Sequence, residues 1–120
     1  MHADETVVEV RKDGRPAGAE SRMWVYRSGE LESKPVILYE FQKTRKKEHA
    51  REFLKDFSGI CVTDGYQLYH SIADEREDLT ISGCWSHARR GFADVVKAAG
   101  KKALNIRESV AYKSLQLYRP

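Results

Sequence analysis

The chain has 120 residues, of which 41% are hydrophobic, 32% charged and 10% aromatic, a globular balance for one domain over 1–120 that excludes wholesale disorder. Its net charge of +3 is too mild to argue by itself for a nucleic-acid partner. Apolar runs stay as short as Val36–Tyr39, so no membrane span is expected, and the opening residues Met1–Thr6 lack the basic and apolar regions of a secretory signal.

Residues 3–10 are rich in β-branched side chains and predict a strand with Asp4, Thr6, Val8 and Val10 on one face. Asp13-Gly14 marks a turn. Met23–Arg27 predicts a second strand and Val36–Phe41 a third, so short turns join an antiparallel meander. The period then changes. Ala50, Phe53, Leu54 and Phe57 recur at helical spacing and predict a helix over 45–57, with Thr44 as N-cap and Lys46 and Lys47 turned to water. Ile60–Thr63 is a short apolar strand that delivers Asp64-Gly65 at its end. Tyr66–Ile72 reads as a short helix or turn, Asp74–Asp78 as a charged loop and Thr80–Cys84 as a fifth strand. From Trp85, apolar residues keep helical spacing to Ala99, and Gly100 with Lys101 and Lys102 reads as the stop. Residues 103–118 are expected to be helical as well, with a less regular pattern. The order predicts an α/β fold: a mixed sheet of about five strands, the first three antiparallel, flanked by helices. It is compatible with a ribonuclease H-like core.

The distribution of charge says more than the total. Gln42–Lys55 and Cys84–Lys102 each carry a net +4, leaving −5 for the remainder. Two basic segments on an acidic body could form a stripe for phosphates, or could be two solvated helix faces.

Two acids are the first candidates for chemistry. Asp64 sits where a strand ends, the place where ligand groups gather in open α/β sheets. Asp4 lies within a strand on an otherwise apolar face, and a carboxylate on a core-facing position requires a partner. A divalent metal would be one, because Mg²⁺ is held by one or two carboxylates with water and phosphates. Two such groups on neighbouring strands would allow two-metal phosphodiester chemistry. The alternative is a frayed terminal residue and an ordinary turn.

Cys84 and His87 could face one metal, but structural zinc takes four ligands and only this pair is visible. A buried strand-end cysteine beside a helix-first-turn histidine that contacts substrate or a carboxylate explains them better. His87, Arg89 and Arg90 open the most regular helix and suit a nucleic-acid backbone. Tyr66, Tyr69 and His70 could stack on a base, although the tyrosines suit core packing better. His49 reads as a helix-edge histidine and Cys61 as a buried thiol.

His2–Thr6, Met23–Arg27, Glu48–Leu54, Val62–Tyr66 and Gly83–Phe92 occur in one order with compact spacing. Together they resemble the catalytic domain of insertion-sequence-66-type transposases over about residues 2–118. The resemblance implies a ribonuclease H-like fold and an Asp-Asp-Glu mechanism. Asp4 and Asp64 would be the first two acids and would bind Mg²⁺ or Mn²⁺. The reaction it implies is phosphodiester hydrolysis at a transposon end, followed by strand transfer into target DNA. It also implies self-association and a bacterial cytoplasmic, nucleoid-associated setting. Cys84 and His87 resemble a Cys-x-x-His signature whose role is structural or DNA-proximal. The family's third acid has no matching motif, and Glu108 has no local support for that role. The chain is therefore expected to be a fragment truncated at both ends and inactive alone. Two other readings compete: a non-catalytic nucleic-acid-binding remnant using Lys46, Lys47, Arg89 and Arg90, and another two-metal nuclease on the same fold.

Overall fold

A computed structural model describes residues 1–10, 12–16, 18–29, 31–100 and 105–117. They form two compact units, Met1–Ser82 and Gly83–Pro120.

The first unit opens with strands β1 (His2–Glu9), β2 (Glu20–Arg27) and β3 (Ile37–Gln42). They pair antiparallel, with Asp4 opposite Val25 and Val25 opposite Tyr39. Short connections leave consecutive strands no other neighbour to reach, which is why the meander forms. Helix α1 (Lys47–Leu54) then carries the chain back from the β3 edge to β4 (Gly59–Thr63), which lies parallel to β1 with His2 level with Val62. Helix α2 (Gln67–Ala73) leads to β5 (Leu79–Gly83), and the sheet order is β3-β2-β1-β4-β5. This is the expected α/β mixed sheet, consistent with a ribonuclease H-like fold.

The core of this unit gathers Ala3, Trp24, Tyr26 and Cys61 from the strands with Ala50, Leu54, Leu68, Tyr69 and Ile72 from the two helices. Trp24 meets Tyr69 edge to face at 6.3 Å between ring centroids. Burial of such large rings is the main favourable term for a sheet-and-helix sandwich.

The second unit holds α3 (Trp85–Ala99), a 3-10 turn (Ile106–Glu108) and α4 (Val110–Gln116). Gly100 ends α3 at φ +69°, a left-handed conformation that glycine takes without a Cβ penalty. Lys101 and Lys102 lie outside the described residues. Among the described residues no helix is long and apolar enough to cross a membrane.

Four expectations are corrected. Thr44 is not the N-cap of α1; its hydroxyl bonds the His49 ring at 2.9 Å, and the helix starts later, after Lys46, without a side-chain cap. Lys47 does not turn to water, because its ammonium bonds Glu75 Oε1 at 2.7 Å and the Ser71 carbonyl at 3.1 Å. Asp4 does not face the core: Ala3 and the Glu5 side chain are buried and Asp4 between them is exposed. Finally, 103–118 is not one helix. A 3-10 turn is followed by α4, which restarts at Ser109, whose hydroxyl accepts from the Tyr112 amide at 3.2 Å. Residues 103, 104 and 118 lie outside the described residues.

Candidate active site

Side chains alternate across a strand, so partners in a parallel pair share a face. On β1, Ala3 and Glu5 point toward the helices, and His2 and Asp4 point the other way. On β4, buried Cys61 and Thr63 point toward the helices, and Val62 points the other way. His2 and Val62 are registered partners. Two residues further along each chain stand Asp4 and Asp64. Asp4 continues the β1 alternation on the face of His2, whereas Asp64 stands one residue past the end of β4, in the turn, where its charge acts on Arg45 and Tyr69.

The turn that carries Asp64 is shaped by its own side chains. The Tyr66 amide donates to Asp64 Oδ1 at 2.9 Å, and the Gly65 amide donates to the Thr63 hydroxyl at 3.3 Å. Gly65 has φ +87°, which favours glycine and lets the chain leave the strand end sharply. On β1, the Glu5 amide donates to Asp4 Oδ1 at 2.9 Å. Asp64 is half-buried and Asp4 exposed.

The opposite side of the same strand carries a buried ionic cluster. The Glu5 side chain is only 1% exposed and pairs with Arg45, whose Nε donates to Glu5 Oε1 at 2.7 Å. The Tyr69 hydroxyl donates to Glu5 Oε2 at 3.3 Å. The Arg45 guanidinium lies 3.7 Å from the Tyr66 ring centroid. Burial pulls the Arg45 pKa down, but the bond and charge of Glu5 outweigh it and hold the group above its ordinary value. Burial, reinforced by the charge on Glu5, pushes the Tyr69 phenol well up.

Asp4 and Asp64 present hard oxygen donors, the type that Mg²⁺ and Mn²⁺ take with water and phosphate completing the shell. The chemistry of these two oxygen donors suits such a cation, and among the described residues no group of three or more His, Cys, Asp or Glu gathers as a metal cluster.

The remaining predicted residues divide between the units. Lys46 is exposed just before α1, whereas Lys47 is committed to Glu75, which also takes Arg51 at 2.5 Å. In the second unit, Arg89 and Arg90 are exposed on α3 and His87 is half-buried. Trp85, Arg89, Phe92, Ser114 and Leu117 line a cleft of about 430 Å³. Burial raises the Cys84 thiol, but hydrogen bonds from the His87 backbone and ring and the Ser86 amide outweigh it and lower the pKa. Cys84 and His87 therefore interact with one another, as a local pair.

Sequence reading gave no place to Glu5 and Arg45. The signal was available, because Glu5 shares its strand face with Ala3. Once that face is core, its charge must have a partner.

A family model described as "Transposase IS66 family" matches residues 1–119. Among curated proteins, the chain is similar to the uncharacterized protein y4qI of Sinorhizobium fredii, 31% identical over 105 residues covering 79% of this chain and 20% of that protein. It is also similar to the uncharacterized protein y4jD of the same organism, 32% identical over 116 residues covering 88% of this chain and 23% of that protein. The chain thus spans about a fifth of the length of the curated relatives it matches. No solved structure matches.

Proposed function

The chain belongs to the transposase IS66 family, and from that premise we propose that it supplies the first two acids of a DNA-cleaving and DNA-joining centre. The observation that carries this reading is the pairing of β1 with β4. That pairing sets the strand that carries Asp4 beside the strand that ends just before Asp64.

In this reading Asp4 and Asp64 hold Mg²⁺ or Mn²⁺. The bound ions would supply activation of the attacking oxygen and stabilisation of the leaving oxygen in phosphodiester hydrolysis and strand transfer. The work of this chain's residues is to orient. The Asx turn at Asp64 sets the direction of one carboxylate, and the β1 backbone sets the other. Arg89 and Arg90 bind DNA phosphates through paired N–H donors, with Lys46 as a point charge and His87 near the backbone. Lys47 contributes only when it exchanges Glu75 for a phosphate. The chain alone does not turn over, because a third acid is not among its matched motifs.

Mn²⁺ titration followed by electron paramagnetic resonance tests the reading. Binding is expected in the wild type, with a loss of about tenfold or more in Asp4→Asn and in Asp64→Asn. Equal binding by all three proteins removes the metal-centred reading. Duplex-DNA binding that weakens with salt, persists in Asp64→Asn and ignores Mg²⁺ would then favour the non-catalytic remnant.

A further inference from the structure

We propose that Glu5 and Arg45 are positioning residues that hold the Asp4 strand and the Asp64 turn in register; this inference rests on the two-carboxylate reading above. The geometry requires such a device. Among the described residues, β1 and β4 have a single registered pair, His2 with Val62. That pair lies two residues before the two acids. What further fixes their separation lies outside that registered pair.

A continuous set of contacts joins the two acids. Glu5 follows Asp4 in β1 and projects to the opposite face. Its buried carboxylate takes Arg45 Nε at 2.7 Å and a second guanidinium nitrogen on the same oxygen. The guanidinium lies over the Tyr66 ring at 3.7 Å. The Tyr66 amide in turn donates to Asp64 Oδ1 at 2.9 Å. The path runs from Asp4 through Glu5, Arg45 and Tyr66 to Asp64. Tyr69 extends it, since its hydroxyl donates to the other Glu5 oxygen and its ring packs on Trp24 in the core. A rigid planar guanidinium suits this task, because it can form an ion pair and stack at once.

The consequence is a role for the pair in metal affinity without metal contact. Removing Arg45 alone strands the buried Glu5 charge and endangers the fold, whereas replacing both with neutral groups of similar volume spares it. The test therefore uses the Glu5→Gln, Arg45→Met double variant, with Mn²⁺ affinity as readout, thermal unfolding as a check on the fold, and Asp64→Asn as control. The expected result is a folded double variant that binds Mn²⁺ about tenfold more weakly, the size of effect seen when supports of metal ligands are removed. Wild-type affinity in the double variant, with binding lost in Asp64→Asn, overturns the positioning role and leaves the two-carboxylate reading standing. Undiminished binding in Asp64→Asn overturns both. If the double variant does not fold, Tyr66→Leu carries the test, because it keeps apolar bulk and the ion pair but removes the stacked ring. Several-fold weaker Mn²⁺ binding at an unchanged melting temperature supports the inference, and unchanged affinity overturns it.

Discussion

Gly65 has φ +87°, and a Cβ placed there would meet nothing within 4 Å. The cost of a side chain is therefore conformational and not steric. Gly65→Ala is expected to destabilise by about 1–2 kcal/mol, and Gly65→Asn by less, because asparagine tolerates left-handed backbone; urea unfolding measures both. The two thiols make a second contrast at this scale. Burial pushes Cys61 up to about 11, whereas the His87 and Ser86 bonds to Cys84 outweigh its own burial and lower it. A thiol reagent at pH 8 is expected to modify Cys84 first and Cys61 only on unfolding, with mass spectrometry as the readout. The sign for stability follows. A folded-state pKa raised from 9.0 to about 11 gives Cys61 a contribution that is complete below pH 9 and declines as pH rises toward 11. That contribution is about 3 kcal/mol, and urea titrations at pH 8 and pH 11 measure most of its loss.

At the scale of elements, the loop after α2 is held by one side chain. Arg76 donates to the Leu54 and Phe57 carbonyls, both at 2.6 Å, while Asp78 accepts from its guanidinium. It thus satisfies the open carbonyl end of α1, which no glycine cap serves. Arg76→Ala is expected to lower the urea midpoint, while Glu77→Ala in the same loop is expected to change little. That clamp was invisible in the sequence, where Asp74–Asp78 read only as a charged loop, because its acceptors lie about twenty residues away. Elements governed by local pattern were legible. The apolar period of Trp85–Ala99 gives α3 to the residue, and the Asp64-Gly65 pair gives the turn at the end of β4. The limits of α1 were not, because the Thr44 hydroxyl bonds the His49 ring instead of a backbone amide and leaves the helix to begin uncapped. The face of β1 was misread for a related reason. Period-two alternation identifies two faces but not which is core, and Glu5 belongs to the core only because Arg45 and Tyr69 come from distant segments to meet it.

On the scale of the whole molecule, burial is unequally shared. Met1–Ser82 contains every buried apolar residue among those described except Ala111, and α3 has no buried residue. Hydrogen exchange is expected to show the slowest amides in β1 and β2, opening near the global free energy, with α3 and α4 exchanging at least tenfold faster through local opening. Equal protection in α3 would contradict that expectation. The sheet order has a kinetic corollary. The hairpins formed by β1, β2 and β3 close short loops, whereas β1 meets β4 only after nearly sixty residues have been synthesised and collapsed between them, as His2 and Val62 mark. Non-local parallel pairing bears the larger loop-closure penalty and comes late on the folding route. The pairing that sets the Asp4 strand beside the Asp64 turn therefore forms near the end of folding, and the Gly65→Ala variant is expected to reveal this in stopped-flow chevrons as faster unfolding with little change in the refolding arm.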